Sequence, residues 1–312
     1  MSDTATEVRA GTPVRLGDRI FSRTAWAAAM LIMVALAGVA VFLLIEGLPG
    51  LSAPADIYRP ADSFWSYVGP LVFGTILAAV VALVIAVPFS IGVALFISHY
   101  APPRLAAPIA YVIDLLAAIP SVVYGLWGGL ALAGAMRPVI DWLYDNLGFI
   151  PFFAGPPSVT GRTMLTAGMV LAIMVIPITT AISREVFAQT PRLHEEAAMA
   201  LGATRWEVIR LAVFPYARSG VVSGVMLGLG RALGETMAVA MVLSATPIVT
   251  LNLISNSNPA TIASNIAANY KEATPDRQAL LIATGLVLFF VTFVVNFIAR
   301  LIVARSERKV TR

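Results

Sequence analysis

Arg231 and Glu235 stand four residues apart in the run Gly228-Leu-Gly-Arg-Ala-Leu-Gly-Glu-Thr-Met-Ala-Val239, inside a long apolar block. Ionisable side chains are expensive there. An arginine at a bilayer centre costs about 2.5–3.5 kcal/mol on insertion scales, and such residues face a cavity or a partner. A helix through the run predicts both side chains on one face. Either the pair neutralises itself and packs a bundle, or it lines a path for a charged cargo. Arg before Glu is the weaker i,i+4 order, which favours the path. A guanidinium grips an oxyanion in a bidentate fork. Glu235 then balances charge or accepts a hydrogen bond from a protonated oxyanion such as hydrogen phosphate; sulfate has no proton to offer at neutral pH. Thr236, Ser121 and Tyr124 are hydroxyl candidates for the same path, or for hydrogen bonds between helices.

The elements that position these residues are membrane spans. The chain has 312 residues, 59% hydrophobic and 12% charged, where a soluble domain carries about 25% charged residues. Six apolar blocks, at about 24–48, 68–98, 105–134, 163–182, 217–244 and 279–302, have the length of transmembrane helices. The first is read as an uncleaved span. It is too long for a leader's apolar core, and Pro54 spoils the cleavage-like Ser52-Ala53-Pro54-Ala55. Pro88 and Pro120 predict kinks inside their spans. Gly220, Gly224, Gly228, Gly230 and Gly234 let neighbouring helices approach the fifth span.

The basic residues orient the spans. With both termini in the cytoplasm, fifteen Lys and Arg fall inside and five outside, with Arg231 left in a span. That location explains the net charge of +4 without nucleic acid. Residues 1–23 and 305–312 become cytoplasmic tails, and 24–304 the membrane domain. Outside, residues 136–162 mix aromatics with prolines, as an interfacial piece or a docking surface. Asn258-Pro259 is read as an N-cap with a first-turn proline, opening a helix over 260–270.

Several chemistries are excluded or disfavoured. There is no Cys, hence no disulfide, thiol catalysis or Cys-ligated zinc. His99 and His194 lack metal-ligand spacing. No P-loop occurs, and the only lysines are Lys271 and Lys309. No catalytic residue, cofactor or metal is therefore expected. A membrane-embedded enzyme is the weakest reading, and a gradient-driven transporter or channel remains open.

Residues 190–215 interrupt the apolar pattern on the cytoplasmic side. Thr190 is the expected N-cap and Pro191 the first helical residue. Glu195 and Glu196 complement the helix dipole. Gly202 is the expected stop. Thr204 and Glu207 have capping-box spacing for a second short helix, which Pro215 should end. The expectation is a pair of short helices hinged at Gly202.

Glu196-Ala197-Ala198, Gly202 four residues beyond Ala198, and Pro215 thirteen beyond the glycine resemble the EAA loop of ABC-importer permeases. Ala212-Val213-Phe214-Pro215 departs from that family's Ile-x-Leu-Pro. More narrowly, Gly69–Thr75, Ile119–Gly125, Leu229–Ala238 and the outer run Ser257–Ala268 are similar to phosphate-importer permeases of the PstC type. The resemblance implies an all-α, six-span type I importer permease fold. It implies a PstA-like permease partner, a PstB-like ATPase dimer at the EAA loop, a PstS-like phosphate-binding protein outside, and Arg231 and Glu235 in the phosphate path. Another oxyanion, such as phosphonate or molybdate, is the alternative cargo.

Overall fold

The computed structural model describes residues 16–308 and is helical nearly throughout. Residues 1–15 and 309–312, which hold parts of both expected tails and Arg9, Arg15, Lys309 and Arg312 of the charge count, lie outside the described residues. In chain order the helices are α1 (Leu16–Leu51), α2 (Phe64–Leu95), α3 (Pro103–Ala118), α4 (Ser121–Trp127), α5 (Ala133–Leu147) and α6 (Met164–Ala188). They continue with α7 (Arg192–Ala200), α8 (Arg205–Val208), α9 (Phe214–Gly234), α10 (Met237–Val242), α11 (Ile262–Asn269) and α12 (Pro275–Arg308). Single π-helical turns carry α2 on to Tyr100, join α4 to α5 and join α8 to α9. Among the described residues six helical stretches are long and apolar enough to cross a membrane, the expected number, but the third is Ser121–Leu147 rather than 105–134 and the fifth Arg205–Gly234 rather than 217–244.

The core is the packing of α2 on α6. Ala78, Ala79, Ala82 and Ala86 form a stripe on α2 that is at most 1% exposed. Small side chains at helical spacing bring two backbones close, which is how apolar helices gain contact in a lipid solvent. Opposite them Gly168 lies so near Val81 that an added Cβ would sit 2.3 Å from it. The other face of α6 receives α9 in the same manner. Gly220, Gly224 and Gly228 abut Val186, Ile182 and Val175 in turn. Gly230 and Gly234, included in the same expectation, face open space. α1 docks along α12 through Gly47 and Gly50, and is otherwise exposed.

Two proline expectations are revised, those at Pro120 and Pro215, while α2 carries Pro88 within a continuous helix. Pro120 does more than kink its span. Ile119 (φ −67°, ψ 129°) and Pro120 (φ −58°, ψ 139°) are both extended, so the span is cut into α3 and α4. A residue before proline is pushed out of the α region, which makes the break two residues wide. Pro215 ends nothing. The π turn at Ile209–Val213 hands the hydrogen-bond register on, with the Phe214 N–H donating to Ile209 O. Pro215 then falls in the first turn of α9, where its missing N–H is harmless.

The outer segment between α10 and α11 is folded into the bundle. Ala245–Thr246 pairs in parallel with Asn258–Pro259. Asn258 is fully buried and caps no helix of its own. Its Nδ2 donates to Ser244 O and Ser255 O, and its Oδ1 accepts from the Met164 N–H at the start of α6. Thr261 caps α11 instead, in a capping box with Ser264. Thr75 Oγ1 accepts from the Ile262 N–H at 3.0 Å, and Gly74 lies against Ala260 O. The Gly69–Thr75 motif thus seats the outer segment on α2. Residues 136–162 pack inward through Met136, Ile140 and Phe153 on Ile254, while Trp142 and Phe149 remain exposed.

Candidate functional site

The expected single-faced Arg231–Glu235 helix does not form. α9 stops at Gly234, and Glu235 is extended (φ −68°, ψ 127°). The two side chains are parted by the break, and no ion pair joins them among the described residues. Glu235 is 9% exposed and its carboxylate accepts from the Ala238 N–H at 3.2 Å. It therefore caps α10, placing an anion where unsatisfied N–H groups and the helix dipole favour one. Thr236 is half-buried and donates to Gly234 O, closing the last turn of α9.

The break at Ile119-Pro120 faces this one. α4 and α10 pack together, with Gly125 against Ala238 and Met241, and Gly129 against Met241 O. An added Cβ on Gly125 would sit 2.8 Å from the Ala238 Cα, so only glycine permits the approach. Tyr124 is buried, and its hydroxyl donates to Leu116 O at 2.9 Å, a carbonyl that Pro120 cannot reach with an N–H and that otherwise accepts only a long bond from Ile119 N–H at 3.4 Å. Ser121 opens α4 and is half-buried. Two half-helices, each tied at its break by a polar side chain, thus meet beyond the end of α9.

Arg231 itself lines a cavity of about 1250 Å³ between α9 and α12, closed on one side by Ile178 of α6. Its Nε is buried and has no hydrogen-bond partner. An unsatisfied buried donor on a charged group is costly, and an acceptor placed there would be favoured. Glu235, Thr236, Ser121 and Tyr124 are not among the lining residues. Asn296 and Arg300 of α12 are, together with Ser223, Phe293 and Phe297. Sequence reasoning missed Asn296, although an amide inside an apolar block is the signal that finds it.

The second site is the elbow at 190–215. α7 ends in a Schellman motif: the Gly202 N–H donates to Met199 O and the Ala203 N–H to Ala198 O. Gly202 has φ +83°, a conformation glycine adopts without penalty. The Thr204–Glu207 capping box is present, with both reciprocal bonds made. Backbone and hydroxyl bonds from Thr204 hold the Glu207 carboxyl below its usual value; it is fully exposed, ahead of the apolar part of the helix. Thr190 differs from expectation. Its hydroxyl is buried without a partner, and the N-cap position falls on Pro191.

Between the limbs of the elbow runs a groove of about 820 Å³, walled by Ala197, Ala198, Gly202, Pro215 and Tyr216 among others. Alanines at 197 and 198 keep it open, since longer side chains there would fill it. Glu196 turns to the other side, toward a smaller cavity shared with His99 and Glu195. His99 Nε2 lies 3.7 Å from Glu195 and ties α7 to the end of α2. Leu193, Leu201, Trp206 and Leu211 are 58–89% exposed around the elbow. Such an apolar cluster on a charged knob is the mark of a protein-docking surface.

Comparison with known proteins agrees with this geometry. The sequence profile of the family described as "Binding-protein-dependent transport system inner membrane component" matches residues 86–311. The "Phosphate transport system permease protein PstC 2" of Mycobacterium tuberculosis is 45% identical, with 93% of each chain covered. The "Phosphate transport system permease protein PstC" of Xylella fastidiosa is 41% identical, covering 94% of this chain and 92% of the relative. Among solved structures, a chain of a bacterial ABC transporter involved in alginate import superposes with a TM-score of 0.57 at 16% identity, covering 92% of this chain and 99% of that one. A chain of the inward-facing MetNI methionine ABC transporter gives 0.51 at 15% identity, covering 77% and 94%. The fold is that of type I ABC importer permeases, and the chain belongs to the family of binding-protein-dependent transport system inner membrane components.

Proposed function

We propose that this chain is the permease subunit of an ABC importer for inorganic phosphate, with Arg231 as the substrate's ligand in the membrane. The observation that carries the reading is the buried, unpartnered Nε of Arg231 on the wall of a large cavity. A guanidinium in that setting favours a tetrahedral oxyanion through paired, charge-assisted hydrogen bonds. The names of the relatives support phosphate over phosphonate or molybdate. Glu235 acts by holding α10, with its charge kept near the path. Tyr124 and Thr236 act by fixing the two breaks, and Ser121 opens the half-helix α4.

The elbow carries the energy. Glu196, Ala197, Ala198, Gly202 and Pro215 form the coupling surface for a PstB-like ATPase dimer, since the chain has no P-loop of its own. A PstA-like permease completes the pathway, and a PstS-like protein delivers phosphate from outside. Both termini lie in the cytoplasm, as the distribution of basic residues favours. Residues 24–304 form the membrane domain with 190–215 as its coupling loop, and 1–23 and 305–312 are tails. The test is vanadate-sensitive uptake of radiolabelled phosphate by vesicles holding the whole transporter. Arg231→Gln should abolish uptake at normal membrane levels, and undiminished uptake would refute the assignment.

A further inference from the structure

The cavity that holds Arg231 has a second guanidinium on its wall. Arg300 lines it from α12, with Asn296 one helical turn before. The lining of α9 runs from Val222 to Arg231 and that of α12 from Phe293 to Arg300. Each stretch is about 10–13 Å long at 1.5 Å per residue. Consecutive spans run in opposite directions. Arg231 and Arg300, each at the C-terminal end of its helix's share of the wall, therefore mark opposite ends of the cavity.

Among the described residues no carboxylate pairs with Arg231 or with Arg300. Arg300 is exposed at the mouth, and Asn296 is half-buried between mouth and interior. An amide one turn from a free guanidinium on the same helix face offers donors to a single oxyanion. A basic flank serving only to anchor the span would not need the neighbouring amide on the cavity wall.

We propose that Asn296 and Arg300 form a second oxyanion subsite, which receives phosphate leaving Arg231 before release on that side of the membrane. This rests on the reading of Arg231 as the substrate's ligand. A lipid phosphate headgroup has the same chemistry at the mouth, and the experiment separates the two sources. The complete transporter with its partner chains is reconstituted in vesicles of phosphatidylcholine alone, and of phosphatidylcholine with phosphatidylglycerol. Uptake of radiolabelled inorganic phosphate is then measured against concentration.

Arg300→Gln should lower the maximal rate about tenfold in both lipids, the effect of one charge-assisted hydrogen bond. KM should stay within about twofold, because capture at Arg231 precedes the step affected. Arg300→Lys should restore most of the rate, and Asn296→Leu should lower it to a smaller degree. A loss confined to vesicles with phosphatidylglycerol gives Arg300 to lipid and overturns the subsite. A wild-type rate for Arg300→Gln in phosphatidylcholine also overturns it. If the Gln variant fails to assemble, Arg300→Lys and Asn296→Leu decide, and wild-type rates for Asn296→Leu refute the proposal. Normal uptake by Arg231→Gln would instead refute the underlying reading, a result distinct from the others.

Discussion

Gly202 offers a perturbation in which backbone conformation and steric contact separate cleanly. Its φ is +83°, and a Cβ added there would meet nothing within 4 Å. Within this chain a substitution therefore acts through backbone preference, and comparing Asn with Val, which are similar in size, holds any contact with a docked partner nearly constant. An L-residue held left-handed costs about 1–2 kcal/mol, which is about a 5–30-fold change in the population of the bent elbow. Asn visits this region readily, whereas a β-branched residue there is a genuine outlier. The expectation is that Gly202→Asn couples nearly as well as the native chain. Gly202→Val should transport about tenfold less phosphate per ATP hydrolysed, in line with that penalty. The assay is the ratio of phosphate uptake to ATP hydrolysis in vesicles containing all the subunits. Equal ratios for Asn and Val would show that the left-handed turn plays no part in coupling, and the argument would fall.

Two further predictions follow from the packing and the break. Glu235→Gln should retain much of the uptake lost in Glu235→Ala, because an amide oxygen still accepts from the Ala238 N–H. Loss of the cap should lower the melting temperature of the purified complex, since caps contribute about 1 kcal/mol; equal melting of the two variants would count against the cap. Gly228→Val forces atoms into Val175 and Thr179, whose side chains lie 2.7 and 2.8 Å from an added Cβ. It should destabilise the complex by about 1–3 kcal/mol, whereas Gly230→Ala, with open space beside it, should melt like the native protein.

Length and hydropathy made six spans legible, because a bilayer imposes one element type and one length. Capping chemistry was equally readable at Thr204, Glu207 and Gly202, where local backbone needs decide. The breaks were harder. Glu235 follows a helix of unaltered periodicity, and its carboxylate is spent on α10 rather than on Arg231. That choice depends on α4 packing against α10, a contact between residues more than a hundred positions apart. Pro120 was visible, but the depth of its break required the Tyr124 hydroxyl on Leu116 O. Pro215 misled because a π turn, which has no sequence signature here, shifts the register before it. Asn258 looked like an N-cap until its burial set it bridging three backbone groups. Arg300 was hidden by its position, since a cationic residue at a span's end is ordinary.

The geometry also says where motion can be absorbed. From Arg205 to Gly234 the helix is continuous through its π turn, a rod about 45 Å long at 1.5 Å per residue. One end begins just past the left-handed turn at Gly202, and the other end carries Arg231 in its last turn. Beyond it lie the extended Glu235 and then Thr236, followed by α10, which Gly125 of α4 and Gly129 of the π turn after it hold closely. A push on the elbow is carried along this helix, whose ladder is altered only at the π turn and Pro215. The chain leaves the helix at Gly202 and at Glu235, and these are the places where it bends most easily. The His99–Glu195 contact holds α7 to α2 on the far side of the first hinge. On the proposed function, rotation of the rod against α10 re-aims Arg231 within its cavity while α4 and α10 stay together. The elbow then serves to transmit motion, and an anion bound at Arg231 is the neighbour that neutralises it.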